Sequence, residues 1–297
     1  MGFVLALISS AAFGLIPLFS LPLLHDGMSA ECVLFYRFLF GSLSLGLILV
    51  LRQERLAAPA RDLIRLALLS SMYGLAALLM FRGFAYLPSG VASTLQFLYP
   101  LMVMLIMTIF FHEKFSIITA LSVALAMLGV FLLSGGAPGS SGGISLWGIF
   151  LLLVSALCNA VYISGLHVAR IHCISGLAIT FWVLLSGTLL SLGNAVATGS
   201  FRLLRSWEEL LLVVLLAVIT AAISNLTLIL AIQRIGSTLA SILGVGEPLT
   251  AVTVGILVFD EPATFHVFSG VAVICAAVIL VMTGPQLLAR LHKNKHG

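Results

Sequence analysis

Residues 89–114, SGVASTLQFLYPLMVMLIMTIFFHEK, return 148 positions later as residues 237–262, STLASILGVGEPLTAVTVGILVFDEP, without a gap. Ser89 meets Ser237, Ala92 meets Ala240, Ser93 meets Ser241, Leu95 meets Leu243, Pro100 meets Pro248, Leu101 meets Leu249, Phe111 meets Phe259 and Glu113 meets Glu261. The second copy also places Glu247 directly before its proline, inside a run that otherwise reads as lipid-soluble. A charged side chain at a bilayer centre costs about 3 kcal/mol on insertion scales, and proline removes a helix hydrogen bond. A proline at the same place in both copies therefore points to a break in the helix, and the added carboxylate points to a use for it.

Composition identifies the solvent. Of 297 residues, 61% are hydrophobic and only 8% are charged. The mean hydropathy is +1.24, outside the range of water-soluble domains. The net charge of +4 comes from basic residues placed singly at the ends of apolar segments, which argues for orientation in a membrane and against a nucleic-acid partner. Cys32, Cys158, Cys173 and Cys275 have no CxxC spacing and read as packing residues. His25, His167, His172, His266, His292 and His296 form no metal-ligating pattern, so neither a metal nor another cofactor is expected.

A spanning helix needs roughly 20 apolar residues. Cutting at polar and Gly/Pro punctuation yields ten segments, near 2–22, 31–51, 63–85, 89–111, 115–134, 144–166, 175–197, 209–232, 237–258 and 265–284. The first reads as a retained span, since no basic residue precedes it and it is long for a signal-peptide core. With the N-terminus inside, Arg52, Arg55, Arg61, Arg65, Lys114, Arg170, Arg234, Arg290, Lys293 and Lys295 fall on the inner side, against Arg82, Arg202 and Arg205 outside. That bias places both termini in the cytoplasm. Trp147 and Trp207 fall at outer span ends, where an indole suits the headgroup level.

The expected fold is an all-α polytopic membrane protein with ten transmembrane helices. A Gly/Ser/Pro stretch separates two sets of five, giving repeats over 1–134 and 144–284, an external loop over 135–143 and a short basic cytoplasmic tail over 285–297. Five is odd, so the second set enters the membrane from the opposite side, which makes an inverted repeat of the kind secondary transporters use.

The copies ASTLQFLYPLMVMLIMTIFFHEK and ASILGVGEPLTAVTVGILVFDEP, each followed by another apolar segment, and YRF at 36–38 resemble the EamA-type permeases of the drug/metabolite transporter superfamily. The resemblance covers essentially the whole chain. It implies a cytoplasmic-membrane carrier, commonly an exporter of amino acids or other small metabolites, with Arg37 as the second-span arginine and Glu113 and Glu261 as loop caps. The first span lacks the membrane-embedded glutamate typical of the related small multidrug resistance proteins, so their proton-exchange scheme is not carried over.

Candidate site residues follow from depth and polarity. Glu247 lies about ten residues into its span, roughly 15 Å deep, beyond the reach of either surface. Two readings stand for it: hydrogen bonding to the carbonyl freed by Pro248, or binding a proton or a substrate amino group in a central cavity. Tyr99 is its counterpart in the first copy. Pro100 and Pro248, with Gly244 and Gly246, read as hinges or kinks. Arg37 either snorkels outward or pairs with an acidic group of the cargo. Gln96, Asn159 and Asn225 either bridge helices or line a polar path. Tyr73, Tyr162 and Trp182 either pack the core or wall a cavity.

The expected function is a secondary transporter whose partners are the lipid bilayer, a small-molecule substrate and, as a candidate coupling ion, the proton. Two fused repeats suffice for a pathway within a monomer. The competing classes are a membrane-embedded enzyme, for which no HExxH, GxSxG, paired aspartates or Gly-rich phosphate loop is found, and a non-transporting scaffold, for which the loops and tail are short. A channel would need rings of charge or a carbonyl filter, and neither is apparent.

Overall fold

The computed structural model describes residues 1–54, 56, 59–84, 86, 95–96, 98–112, 117–133, 145–169 and 175–258, together with 265, 269–270, 272–273, 275–277 and 279–280. The chain is helical, and no strand occurs among the described residues.

The first apolar run forms α1 (Gly2–Gly14) and α2 (Ile16–His25), which meet at Leu15 with Pro17 in the first turn of α2. Helix α3 (Ala30–Arg52) starts at Ser29, whose hydroxyl accepts the Cys32 N–H, and ends where Gln53 turns left-handed. Helices α4 (Ala60–Phe84), α5 (Tyr99–Phe111) and α6 (Ile117–Leu133) complete the first half. The second half opens with α7 (Leu146–Ala169) and α8 (Gly176–Ala197), the latter capped by Ser175. Ser206 caps α9 (Trp207–Leu215), with Glu208 and Glu209 in a first turn where the helix dipole favours acidic side chains.

From Leu216 to Ile223 the helix widens into a π-helix before α10 (Ser224–Ile235) resumes the α form. Gly236, at φ +82°, ends α10. Beyond it the chain winds as α11 (Ser237–Ile242), a 3₁₀ turn (Leu243–Val245) and α12 (Gly246–Val258).

Among the described residues, six helical stretches are long and apolar enough to cross a membrane: Gly2–Leu24, Ala30–Arg52, Ala60–Gly83, Leu146–Ala169, Gly176–Ala197 and Trp207–Val245. Tyr99–Phe111 and Ala120–Gly129 are shorter apolar helices. The 39 residues of Trp207–Val245 would extend roughly 58 Å as one rod, about twice a hydrocarbon layer. Gly236 divides that stretch where the sequence places the boundary between its eighth and ninth segments. Half of the tenth expected segment lies outside the described residues. Apolar side chains face outward along the helices, Leu43, Leu47 and Leu51 on α3 among them, as a lipid-facing surface requires. Trp147 and Trp207 are 56% and 79% exposed at helix starts.

Packing repeats between the halves. Helix α1 lies against α10 and α12, while α7, its counterpart at the 148-residue offset, lies against α4 and α5. Helix α3 packs on its own counterpart, α8. The hydrogen bonds follow suit: Ser9 donates to the Ser224 carbonyl at 2.8 Å, and Ser155 donates to the carbonyl of Ala76, the equivalent of Ser224, at 2.6 Å. Away from the cavity, at the start of α3, the Arg202 carbonyl accepts from Tyr36 at 2.9 Å and its guanidinium meets Glu209 at 2.9 Å.

Candidate functional site

The two prolines do not kink continuous helices. Pro100 is the second residue of α5 and Pro248 the third of α12, positions in a first turn where a missing N–H leaves no intrahelical bond unmade. The break lies just before each proline, at the turn through Leu98 and at the 3₁₀ turn Leu243–Val245. Of the residues expected at the bends, Gly244 lies within an interruption, while Pro100 and Pro248 lie just past one.

Gly244 and Gly246 act through space. A Cβ on Gly244 would collide with the Tyr99 hydroxyl, and one on Gly246 would collide with Oγ of Ser10. The glycines let α5 and α1 approach the interrupted helix closely. Across that gap Tyr99 donates to the Ser241 carbonyl at 3.2 Å, so a side chain from the first half caps a carbonyl beside the break in the second.

Between these breaks lies a cavity of about 90 Å³. A single water needs at least roughly 10–15 Å³, so the cavity has room for water or a small group. Of the expected residues it gathers Glu247, Tyr99, Gln96, Asn159, Arg37, Tyr73 and Gly244 at one place. Apolar side chains, Phe13, Ile16, Met80, Ile163 and Leu228, wall the remainder, and Ser9 and Ser10 add hydroxyl groups from α1. An apolar wall with few polar groups is the usual form of a small-molecule site.

Arg37 does not snorkel. Its side chain is turned inward, the residue is 3% exposed, and Nη2 donates to the Thr220 carbonyl at 2.8 Å. Glu247 shares the cavity, and its carboxyl group makes no hydrogen bond or ion pair among the described residues, including none to the carbonyl that its capping reading required. Gln96 keeps Oε1 without a donor. The cavity thus presents a fixed cation, a carboxyl group and an amide acceptor to whatever enters.

Three expected residues do not line it. Asn225 donates to the Tyr73 hydroxyl at 3.1 Å and to the Ala221 carbonyl at 2.9 Å, and the Tyr162 ring packs 4.9 Å from that of Tyr73. Both sit behind Tyr73 and orient it. Trp182 lies near the start of α8 and donates Nε1 to the Leu56 carbonyl at 3.2 Å, which ties a loop and forms no cavity wall. Glu113 and Glu261 lie outside the described residues, as does the side chain of Pro248.

Thr220 and its π-helical turn are not apparent in the sequence. The stretch LAVITAAI carries no proline, glycine or charge to mark it. Its clue is spatial: a π turn shifts the carbonyl pairing by one residue, and within it the Thr220 carbonyl accepts a hydrogen bond from Arg37.

Helices apolar on all sides, packed around a partly polar cavity, define a multi-pass membrane protein. The model of the EamA-like transporter family matches residues 1–135 and 146–283. The chain belongs to that family, whose members are transporters. A solved structure titled "Crystal structure of protein" superposes with a TM-score of 0.80 over 97% of each chain at 16% identity, a likeness of fold. No curated protein matches the chain.

Proposed function

We propose that the protein is a secondary transporter that moves a small metabolite, an amino acid or related compound, across the cytoplasmic membrane in the direction of export. Ten spans in two inverted five-helix repeats exchange an inward-open for an outward-open shape around the cavity, with both termini in the cytoplasm. The observation that carries this reading is the convergence of Arg37, Glu247 and Gln96 on one cavity beside two symmetry-related helix breaks. The reciprocal packing of α1 and α7 supports the repeat, and the ten against three distribution of Lys and Arg supports the orientation.

Alternating access needs elements that move as units about weak points. The segments before Pro100 and Pro248 provide them, because their backbone is already interrupted there. Glu247 is suited to exchange between a proton and a cationic group, since its carboxyl makes no hydrogen bond or ion pair among the described residues and Arg37 is the charged group that shares its cavity.

The test is uptake by proteoliposomes of a labelled panel of amino acids and small metabolites, with and without a pH gradient, for wild type and Glu247→Gln. Saturable, gradient-stimulated flux that is lost in the variant supports the reading. Flux that does not saturate indicates a channel, and saturable flux unchanged in the variant removes Glu247 from the mechanism.

A further inference from the structure

Arg37 meets the π-helical turn Leu216–Ile223 in a way that transport alone does not require. In a regular α-helix each carbonyl accepts the N–H four residues on, whereas a π turn shifts that pairing by one residue. Within this turn the Thr220 carbonyl accepts Nη2 of Arg37. The guanidinium is also confined by the rings of Phe13 and Phe38, whose centroids lie 5.9 and 5.8 Å from Cζ. Its Nε is buried and has no acceptor among the described residues. Arginine stays charged in proteins, and its planar fork matches the two oxygens of a carboxylate. Arg37 is therefore anchored at one corner and unsatisfied at another, on the wall of a cavity.

We propose that the π turn Leu216–Ile223 positions an anion-binding point in the cavity: the Thr220 carbonyl holds Arg37 so that its remaining donors take a carboxylate of the cargo. This rests on reading the cavity as the cargo site and specifies half of the cargo's chemistry. Thr220 is the positioning residue through its backbone, and Arg37 is the residue that touches the ligand. The hydroxyl of Thr220 donates to the Leu216 carbonyl at 2.7 Å, which supports the turn from within. A lysine could supply the charge at position 37 but not a fork held at a fixed angle.

The test is calorimetric binding to the purified full-length protein of two matched pairs, leucine against leucinamide and benzoate against benzamide. Each pair keeps its shape and differs in the anionic group. The wild type is expected to favour the carboxylate of each pair by about tenfold or more, the scale of one charge-assisted hydrogen bond. Both Arg37→Gln and Arg37→Lys bring that ratio towards one while the amides bind as before. Deletion of Val218, which returns the turn to α register and commits the Thr220 carbonyl to its own helix, has the same effect. Should the deletion fail to fold, the Arg37→Lys comparison decides alone. Equal binding within the pairs, no carboxylate binding, or a full preference retained by Arg37→Lys overturns the proposal. Failure of the transport reading looks different: carboxylates are still discriminated by the protein, but proteoliposomes show no saturable flux.

Discussion

Before Pro100 the chain reads Leu98, Tyr99, and before Pro248 it reads Gly246, Glu247. The backbone interrupts its helix at both places, yet the groups offered there differ. The difference extends around the cavity: at the 148-residue offset Gln96 pairs with Gly244, Asn159 with Ala11, Tyr73 with Ala221 and Arg37 with Leu185. In each pair one side chain carries a polar group and its counterpart is small or apolar. Shape is repeated and chemistry is not. A pathway that works in two opposite orientations needs two equivalent frames, but a single asymmetric molecule at their junction needs each recognition group once.

That comparison breaks first, and by the largest margin, if the chemistry can be moved between halves. Exchanging the two residues, Tyr99→Glu with Glu247→Tyr, keeps composition and both prolines. Flux of the best-transported tracer in proteoliposomes is expected to fall by about 100-fold, the scale of one lost interaction with a charged group of about 3 kcal/mol. The exchange also puts a bulky ring where Glu247 stood and removes the hydroxyl that caps the Ser241 carbonyl. Flux within threefold of wild type would mean that the halves are interchangeable and that the asymmetry is incidental.

A smaller effect is expected from Gly244→Ala, read as thermal stability in detergent. The added methyl group collides with the Tyr99 hydroxyl, and such overpacking costs about 1–3 kcal/mol. Adding Tyr99→Phe removes the colliding oxygen, so the double variant should recover part of the loss despite forgoing its bond to Ser241, worth about 1 kcal/mol. At the equivalent position, Gln96→Ala removes an amide whose Oε1 has no donor and should leave stability nearly unchanged. If the double variant is no more stable than Gly244→Ala, the glycine serves something other than the approach of Tyr99.

The sequence showed the broken segments plainly because both signals are local. A glutamate in an apolar run and a proline at a repeated offset need no tertiary information, and the starts and ends of α3, α7 and α8 follow from the limits of apolar length. What remained hidden depends on partners distant in the chain. Arg37 could be placed by depth but not by direction, since only the fold brings the Thr220 carbonyl to it across 183 positions. Asn225, Tyr162 and Trp182 have the right polarity and depth for a cavity wall, but helix rotation turns them elsewhere, and periodicity in a helix apolar on all sides does not fix rotation. The close approach of Tyr99 to Gly244 and of Ser10 to Gly246 is likewise a contact between distant parts of the chain that the sequence does not display.

The smallest predicted effect tests whether the two frames are equally strong. Ser9 and Ser224 tie α1 to α10 reciprocally, each hydroxyl donating to the other's carbonyl at 2.8 and 3.2 Å. The matching contact of α7 with α4 is a single bond, because Ala76 stands where the second half has Ser224 and can return nothing to Ser155. Interhelical side-chain hydrogen bonds in membranes average about 0.6 kcal/mol. Ser155→Ala should therefore cost about that much, and Ser9→Ala with Ser224→Ala about twice as much, measured as unfolding stability in the same detergent. Equal costs would mean that one bond of the reciprocal pair contributes nothing. The expected ratio would place the stronger tie at α1 and α10, beside the π turn, leaving the α4 and α7 side as the frame that yields first when the cavity changes shape.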